Sequence, residues 1–281
     1  MFEAGLLNLV LFLPLLGVAV LLLSPSASDE TSRRLTLVLM LVQLMVTSWL
    51  YAQFDAGTPG LQFETRLPWI AAWGVNYQIG LDGYNVLLVM LTAFLGPLVV
   101  AGSFSAVTKD VKLFHAMLFL IQFAMMGTFV AQDLFLFYVF WEAMMIPMFL
   151  IIGIWGGPRR IQAAYKFFFY SFTGTVLMLL AIMAMYWSAG TTDITQLLQH
   201  RFGREMQTWL WLAFFASFSN ESITTFAAAS NDAFPGVPAR RCTITTGLFS
   251  SGPIITTAYR TVSALPRLLS DSLRSADTCA I

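Results

Sequence analysis

Six times before residue 190 the chain runs apolar for about the length a lipid bilayer demands, at 4–23, 35–53, 81–104, 114–130, 134–155 and 163–187. At 1.5 Å rise per residue, a helix of roughly twenty residues crosses the ~30 Å hydrocarbon core. Lipid offers no water to backbone groups, so a spanning segment is either a helix or a strand of a closed barrel. None of the six runs alternates as a barrel strand does. The expected fold is therefore all-α: a polytopic transmembrane bundle of six full spans. A seventh apolar run, 206–218, has 13 residues, about 20 Å as a helix, and is expected to be only a partial span.

Composition agrees and excludes other classes. The 281 residues are 58% hydrophobic and 11% charged, where a soluble domain carries about 25% charged residues. The formal net charge is zero, so no basic field exists to attract nucleic acid. Cys242 and Cys279 are the only cysteines; neither has metal-ligand spacing, and neither a disulfide nor a metal is expected. The N-terminal run follows Glu3 where a signal peptide needs a positive charge, and it is too long for an h-region, so it reads as a retained first span.

Two connections are long, 54–80 and 188–205. The first holds Pro59, Pro68, Trp69 and Trp73, and such aromatics suit the boundary between lipid and water. Lys and Arg fall unevenly. Arg33, Arg34, Lys109, Lys112, Arg159, Arg160 and Lys166 lie on one side, against Arg66, Arg201 and Arg204 on the other. The first set is expected in the cytoplasm, with the N-terminus outside.

Against this apolar background one charge stands out. Glu142 is the single charged residue of the 134–157 stretch. An ionised carboxylate at a helix centre costs about 2.5–3.5 kcal/mol even on insertion scales, so its default reading is functional. Eight residues past Leu134, it lies about 12 Å deep from the outer face. Pro147, five residues on, removes a donor and crowds the Ala143 carbonyl, which predicts a kink. The alternative is a packing acid paired with a polar group on a neighbouring helix.

Other polar positions give weaker signals. Lys166, a few residues into span six, reads on its own as a snorkelling side chain. Tyr170, Ser171, Thr173, Gly174 and Thr175 read as a helix-contact face. His115 and Gln122, seven apart, share one face of span four, with His115 expected near the interface. Asp82 and Asp133 read as N-caps, and the pairs Met125, Met126 and Met144, Met145 as gap-filling core.

The segment FYVFWEAMMIPMFLIIGIWGG, preceded by AQDLFLF and followed by PRRIQAAYKFFFYSFTG, resembles one family of respiratory membrane subunits. The family is subunit M of bacterial NADH:quinone oxidoreductase (complex I) and its mitochondrial counterpart, chain 4. The wider family includes the large subunits of multisubunit cation/proton antiporters. IGLDGYNVLLVMLTAF at 79–94 resembles the family's third span, and the resemblance covers residues 1–218. It implies a proton-translocating subunit of an NADH:quinone oxidoreductase, in the bacterial inner membrane, among other membrane subunits of the complex. It also implies that NADH, quinone, flavin and iron–sulfur clusters bind elsewhere, with no cofactor held by this chain. Glu142 matches the family's span-five acid, the proton carrier, and Lys166 a basic position on span six that is a possible partner. The family's further lysines lie beyond the resemblance. An antiporter subunit exchanging an ion through the same carboxylate, or an inactive truncated fragment, are the alternatives.

From Ser219 onward the composition changes. These 63 residues hold 18 Ser or Thr, five Arg, no Lys and both cysteines. Such a segment has little to bury and is expected to be disordered or irregular. The reading is a domain boundary at 218/219, with 219–281 a non-family tail produced by a frameshift or a wrong join.

Overall fold

The computed structural model describes residues 2–23, 28–58 and 60–232, with side-chain environments for 5–23, 28–58 and 60–218. The tail from 233, including both cysteines and the expected disorder, lies outside the described residues. The order is α1 (Phe2–Leu22), α2 (Asp29–Gln53), β1 (Gln62–Ile70), β2 (Val75–Leu81), α3 (Asn85–Ala106), α4 (Val111–Val130), α5 (Leu134–Trp155), α6 (Arg160–Ala189), α7 (Ile194–Gln199) and α8 (Arg204–Asp232). Among the described residues, six helices, those of the six apolar runs, are long and apolar enough to cross a membrane.

Helix starts follow local chemistry. Ser28 caps α2 by accepting from Thr31 N at 3.2 Å, the hydroxyl replacing a missing helical carbonyl. Asp133 caps α5 by accepting from Phe135 N and Leu136 N. Asp82 accepts from Tyr84 N and Asn85 N at the start of α3. Asp133 is the cap expected of it, whereas Asp82 ties the turn just before α3, whose N-cap position is Tyr84.

α4 is the hub, packed against α1, α2, α3 and α5. One core cluster joins Leu7 and Val10 of α1, Leu50 of α2, Val89 of α3, Met126 of α4 and Phe140 of α5 with Ile79 of β2. A second holds Leu21, Met40, Val100 and Phe119. Gly127 lets α4 and α5 meet closely. A Cβ built there would fall 2.2 Å from the Phe140 ring.

Two segments depart from the sequence reading. The 54–80 connection contains an antiparallel hairpin, β1 against β2, with breaks in register at Gln62/Thr65 and Pro68/Ile70. β1 is largely exposed on both faces, so no period-two burial pattern marks it in the sequence. Second, α8 does not end with the apolar run at Phe218 but continues helical to Asp232. Residues such as Ala227, Ala228 and Ala229 favour helix without requiring apolar burial.

The hairpin is stitched to the bundle end. Gln132 N donates to Gln78 O at 2.8 Å and its side chain to Gly80 O at 3.2 Å. Leu134 N donates to Thr192 O and Ile194 N to Gln132 O. The hairpin, the α4–α5 turn and the α6–α7 link thus form one belt of backbone hydrogen bonds. Tyr77 adds a side-chain tie to α1: its hydroxyl hydrogen-bonds Asn8, which in turn donates to Thr65.

Candidate functional site

The belt fixes where α5 begins, and with it the depth of Glu142. Asp133 is fully buried and accepts four hydrogen bonds: two from the first turn of α5, one from Asn76 N at 3.3 Å and one from Thr192 Oγ1 at 2.5 Å. A carboxylate at a helix N-terminus is favoured by the exposed N–H groups and the dipole there. Asp193 answers it across the belt, capping α7 and sitting 3.5 Å from Arg66 of β1. Nine residues past Asp133, about two and a half turns, stands Glu142.

Glu142 is half-buried. Tyr138, one turn earlier on the same helix, lies beside its carboxylate. Among the described residues the buried Oε1 of Glu142 has no hydrogen-bond partner. Trp141 stacks on Phe137 at 5.7 Å and meets Phe218 of α8 edge-on at 5.0 Å, so α8 reaches the level of the carboxylate. The helix remains α-helical through Pro147, whose ring cannot donate to the Ala143 carbonyl.

Lys166 stands elsewhere. Gly153 of α5 faces Ala164 of α6, and Phe149 faces Phe168 with ring centroids 5.6 Å apart. In this antiparallel register the level of Glu142 falls at Thr175, a buried residue of α6. Lys166 lies about nine residues, or 13 Å, nearer the other end. Its side chain is exposed, off the stripe of Ala164, Phe167, Ser171, Gly174, Thr175 and Met178 that α6 buries. Among the described residues, the ion pairs Arg33–Glu30, Arg34–Glu30, Arg66–Asp193 and Lys109–Asp110 include neither Glu142 nor Lys166. Of the hydroxylated patch, Ser171 and Thr175 face the interior, while Tyr170 and Thr173 do not.

Sequence reasoning passed over Tyr138, although a tyrosine four residues before an intramembrane acid lies on the same helix face. It also passed over Asp193, whose tie to Arg66 joins residues far apart in the chain.

The helix that carries Glu142 falls inside a segment that the chain shares with proton-antiporter-like membrane subunits. The family model described as "NADH:quinone oxidoreductase/Mrp antiporter, TM" matches residues 131–222, from the α5 cap into α8. The chain is similar to that family over this segment, and its curated relatives include subunit M and chain 4 proteins. NADH-quinone oxidoreductase subunit M of Rhodobacter capsulatus is 45% identical over 232 residues, covering 76% of this chain and 45% of the relative. NADH-ubiquinone oxidoreductase chain 4 of Chondrus crispus is 38% identical over 207 residues, covering 73% and 42%. A chain of Thermus thermophilus respiratory complex I, in a structure with bound NADH, superposes with a TM-score of 0.64 at 29% identity, covering 76% of this chain and 43% of that one. The Mrp complex of Dietzia shares the fold at a TM-score of 0.65 and 16% identity, over 78% of this chain and 24% of that one. The chain thus spans about 45% of the length of the subunit M it matches.

Proposed function

We propose that this chain carries the N-terminal portion of a proton-translocating membrane subunit of an NADH:quinone oxidoreductase, with Glu142 as its proton-carrying acid. The observation that carries this reading is the half-buried carboxylate, its Oε1 unpartnered among the described residues, inside a helix of the matched family segment. The subunit holds no redox centre. Electron transfer from NADH to quinone, through flavin and iron–sulfur clusters, belongs to other subunits of the complex, and its partners in the bilayer are the other membrane subunits. An opposite charge approaching Glu142 favours its ionised form, and withdrawal of that charge into an apolar setting favours protonation. Such alternation moves a proton without covalent chemistry. Lys166 is placed to serve as a basic group at the cytoplasmic end rather than as a contact partner of the carboxylate.

The subunit sits in the bacterial inner membrane with its N-terminus outside. The α1–α2, α3–α4 and α5–α6 turns and the helix ends beside them carry seven of the ten Lys and Arg of residues 1–218 and face the cytoplasm; the hairpin faces out. A cysteine introduced at Gly157 is then unreactive to an impermeant reagent added outside intact cells, and efficient labelling refutes the orientation. Beyond the matched segment, which ends at residue 222, the chain is a non-family tail. A reading of the encoding DNA in its other frames that finds no continuation of the family sequence removes the frameshift explanation.

Function is tested by quinone-dependent proton uptake in inverted vesicles carrying the complex with a full-length subunit. Glu142→Gln keeps shape and hydrogen bonding but removes the titrating charge, so uptake falls strongly while assembly persists. Full uptake ends the assignment.

A further inference from the structure

A different interior, among α1 to α4, holds polar side chains that the Glu142 site does not use. α2 and α4 run in the same direction, and their residues meet level by level. Met40 and Gln122 both crowd Gly96 of α3, where a built Cβ would lie 3.1 Å from Met40 Sδ and 2.6 Å from Gln122 Oε1. One turn further, the Gln43 amide donates to Met126 Sδ at 3.1 Å and to Val10 O of α1 at 2.9 Å. Gln43 and Gln122 are 1% and 4% exposed. Among the described residues each keeps one buried atom with no partner: Oε1 of Gln43, an acceptor, and Nε2 of Gln122, a donor.

Donor and acceptor are complementary. Gln122 precedes Met126, the neighbour of Gln43, by one helical turn, about 5–6 Å. Two hydrogen bonds of ~2.8 Å through one oxygen span that distance. Gly96 supplies the room, since any side chain there would occupy the place of the Gln122 amide. The geometry points to a bound water bridging Gln122 Nε2 and Gln43 Oε1, an internal polar site that fastens α1, α2, α3 and α4 together. Buried waters commonly satisfy two to four such groups.

The site is closed rather than part of a channel. Toward the start of α4, the Phe119 ring packs with Leu21, Met40 and Val100, all nearly or fully buried. That collar separates the glutamines from His115, whose Nδ1 is engaged with Val111 O of its own helix. On the other side lie Val10, Met126 and Val89 of the main core.

The test uses methionines as reporters. Met40 and Met126 flank the site, and Met178 on α6 is equally buried but lies away from it. The full chain in native membranes is exposed to a radiolytic X-ray pulse, which makes hydroxyl radicals from bound water in place. Sulfoxide formation at Met126 and Met40 is expected to exceed that at Met178 by about threefold or more, because only the former pair adjoins a bound water. Oxidation equal to that of Met178 overturns the proposal without any variant. In Gln122→Met, which removes the donor and fills the space, Met126 oxidation drops to the Met178 level. Undiminished oxidation at Met126 in that folded variant overturns the bridging assignment.

Discussion

α4 and α5 are adjacent, antiparallel and similar in length, yet they are used differently. In the membrane-spanning stretch of α4, 61% of residues are buried by the rest of the chain, against 22% in α5. α4 has helices on several sides, and its polar residues, His115 and Gln122, are enclosed. α5 is packed by α4, α6 and the hairpin, and leaves Ile146 64% exposed one turn beyond Glu142. The enclosed helix has little freedom to change its contacts. The half-covered one keeps a carboxylate oxygen without a partner among the described residues and a proline little more than one turn away. Enclosure and an exposed acid-bearing face are thus divided between neighbouring helices.

The largest expected effect sharpens that division at the open helix. In a full-length subunit, Glu142→Asp keeps the charge but withdraws it by one methylene from Tyr138. Proton uptake should fall to an intermediate value between wild type and Glu142→Gln, with thermal stability unchanged. Equal uptake in all three would remove the distinction between the helices. Next comes the junction of the two. Asp133→Ala deletes the α5 cap and strands the Asn76 and Thr192 donors, an expected loss of roughly 2–4 kcal/mol in unfolding measurements. A loss below about 0.5 kcal/mol, the range of ordinary surface substitutions, would show that the belt does not hold α5 in place.

Gly127→Ala probes the enclosed side. The added methyl must displace Phe140, and overpacking of this kind costs about 1–3 kcal/mol. Combining it with Phe140→Leu should recover part of the loss, as coupled neighbours do; strict additivity would place the strain elsewhere. Smaller still is the tie of hairpin to α1. Burial pushes the Tyr77 phenol up to about 12. The neutral form is the one favoured on folding, so the contribution is complete below about pH 10, the unfolded value. It is lost as pH rises through about 12. Tyr77→Phe should cost about 1 kcal/mol and abolish that alkaline loss. The smallest effect is expected from Lys166→Gln, exposed and off the buried stripe: within about 0.5 kcal/mol in stability. A larger change would mean that Lys166 engages a group of the chain.

The six membrane helices were legible because lipid imposes a length and a polarity on each, and those are properties of contiguous sequence. Glu142 was legible for the same reason: an acid within an apolar run is visible without knowing its neighbours. The hairpin was not, because Pro68 and the exposed faces of β1 erase alternation. Nor was the true extent of α8, since an apolar count stops at Phe218 while helix propensity continues. The separation of Glu142 from Lys166 depends on the register of α5 against α6, set by contacts such as Gly153 on Ala164. The partnership of Asp133 with Thr192 spans 59 positions, beyond any local pattern.

That last span bears on the order in which the chain is made and closed. Helices inserted from the N-terminus can pack α1 to α4 as soon as α4 has emerged, since their contacts join segments already present. The belt cannot be completed then. Gln132 finds Gln78 early, but Leu134 waits for Thr192 and Gln132 O waits for Ile194, both beyond the end of α6. Loop closure over such distances costs entropy before any contact repays it. During synthesis the N-terminal end of α5 therefore stays unfastened until α6 has been made, and a nascent chain arrested before residue 192 would present the Asp133 carboxylate one donor short.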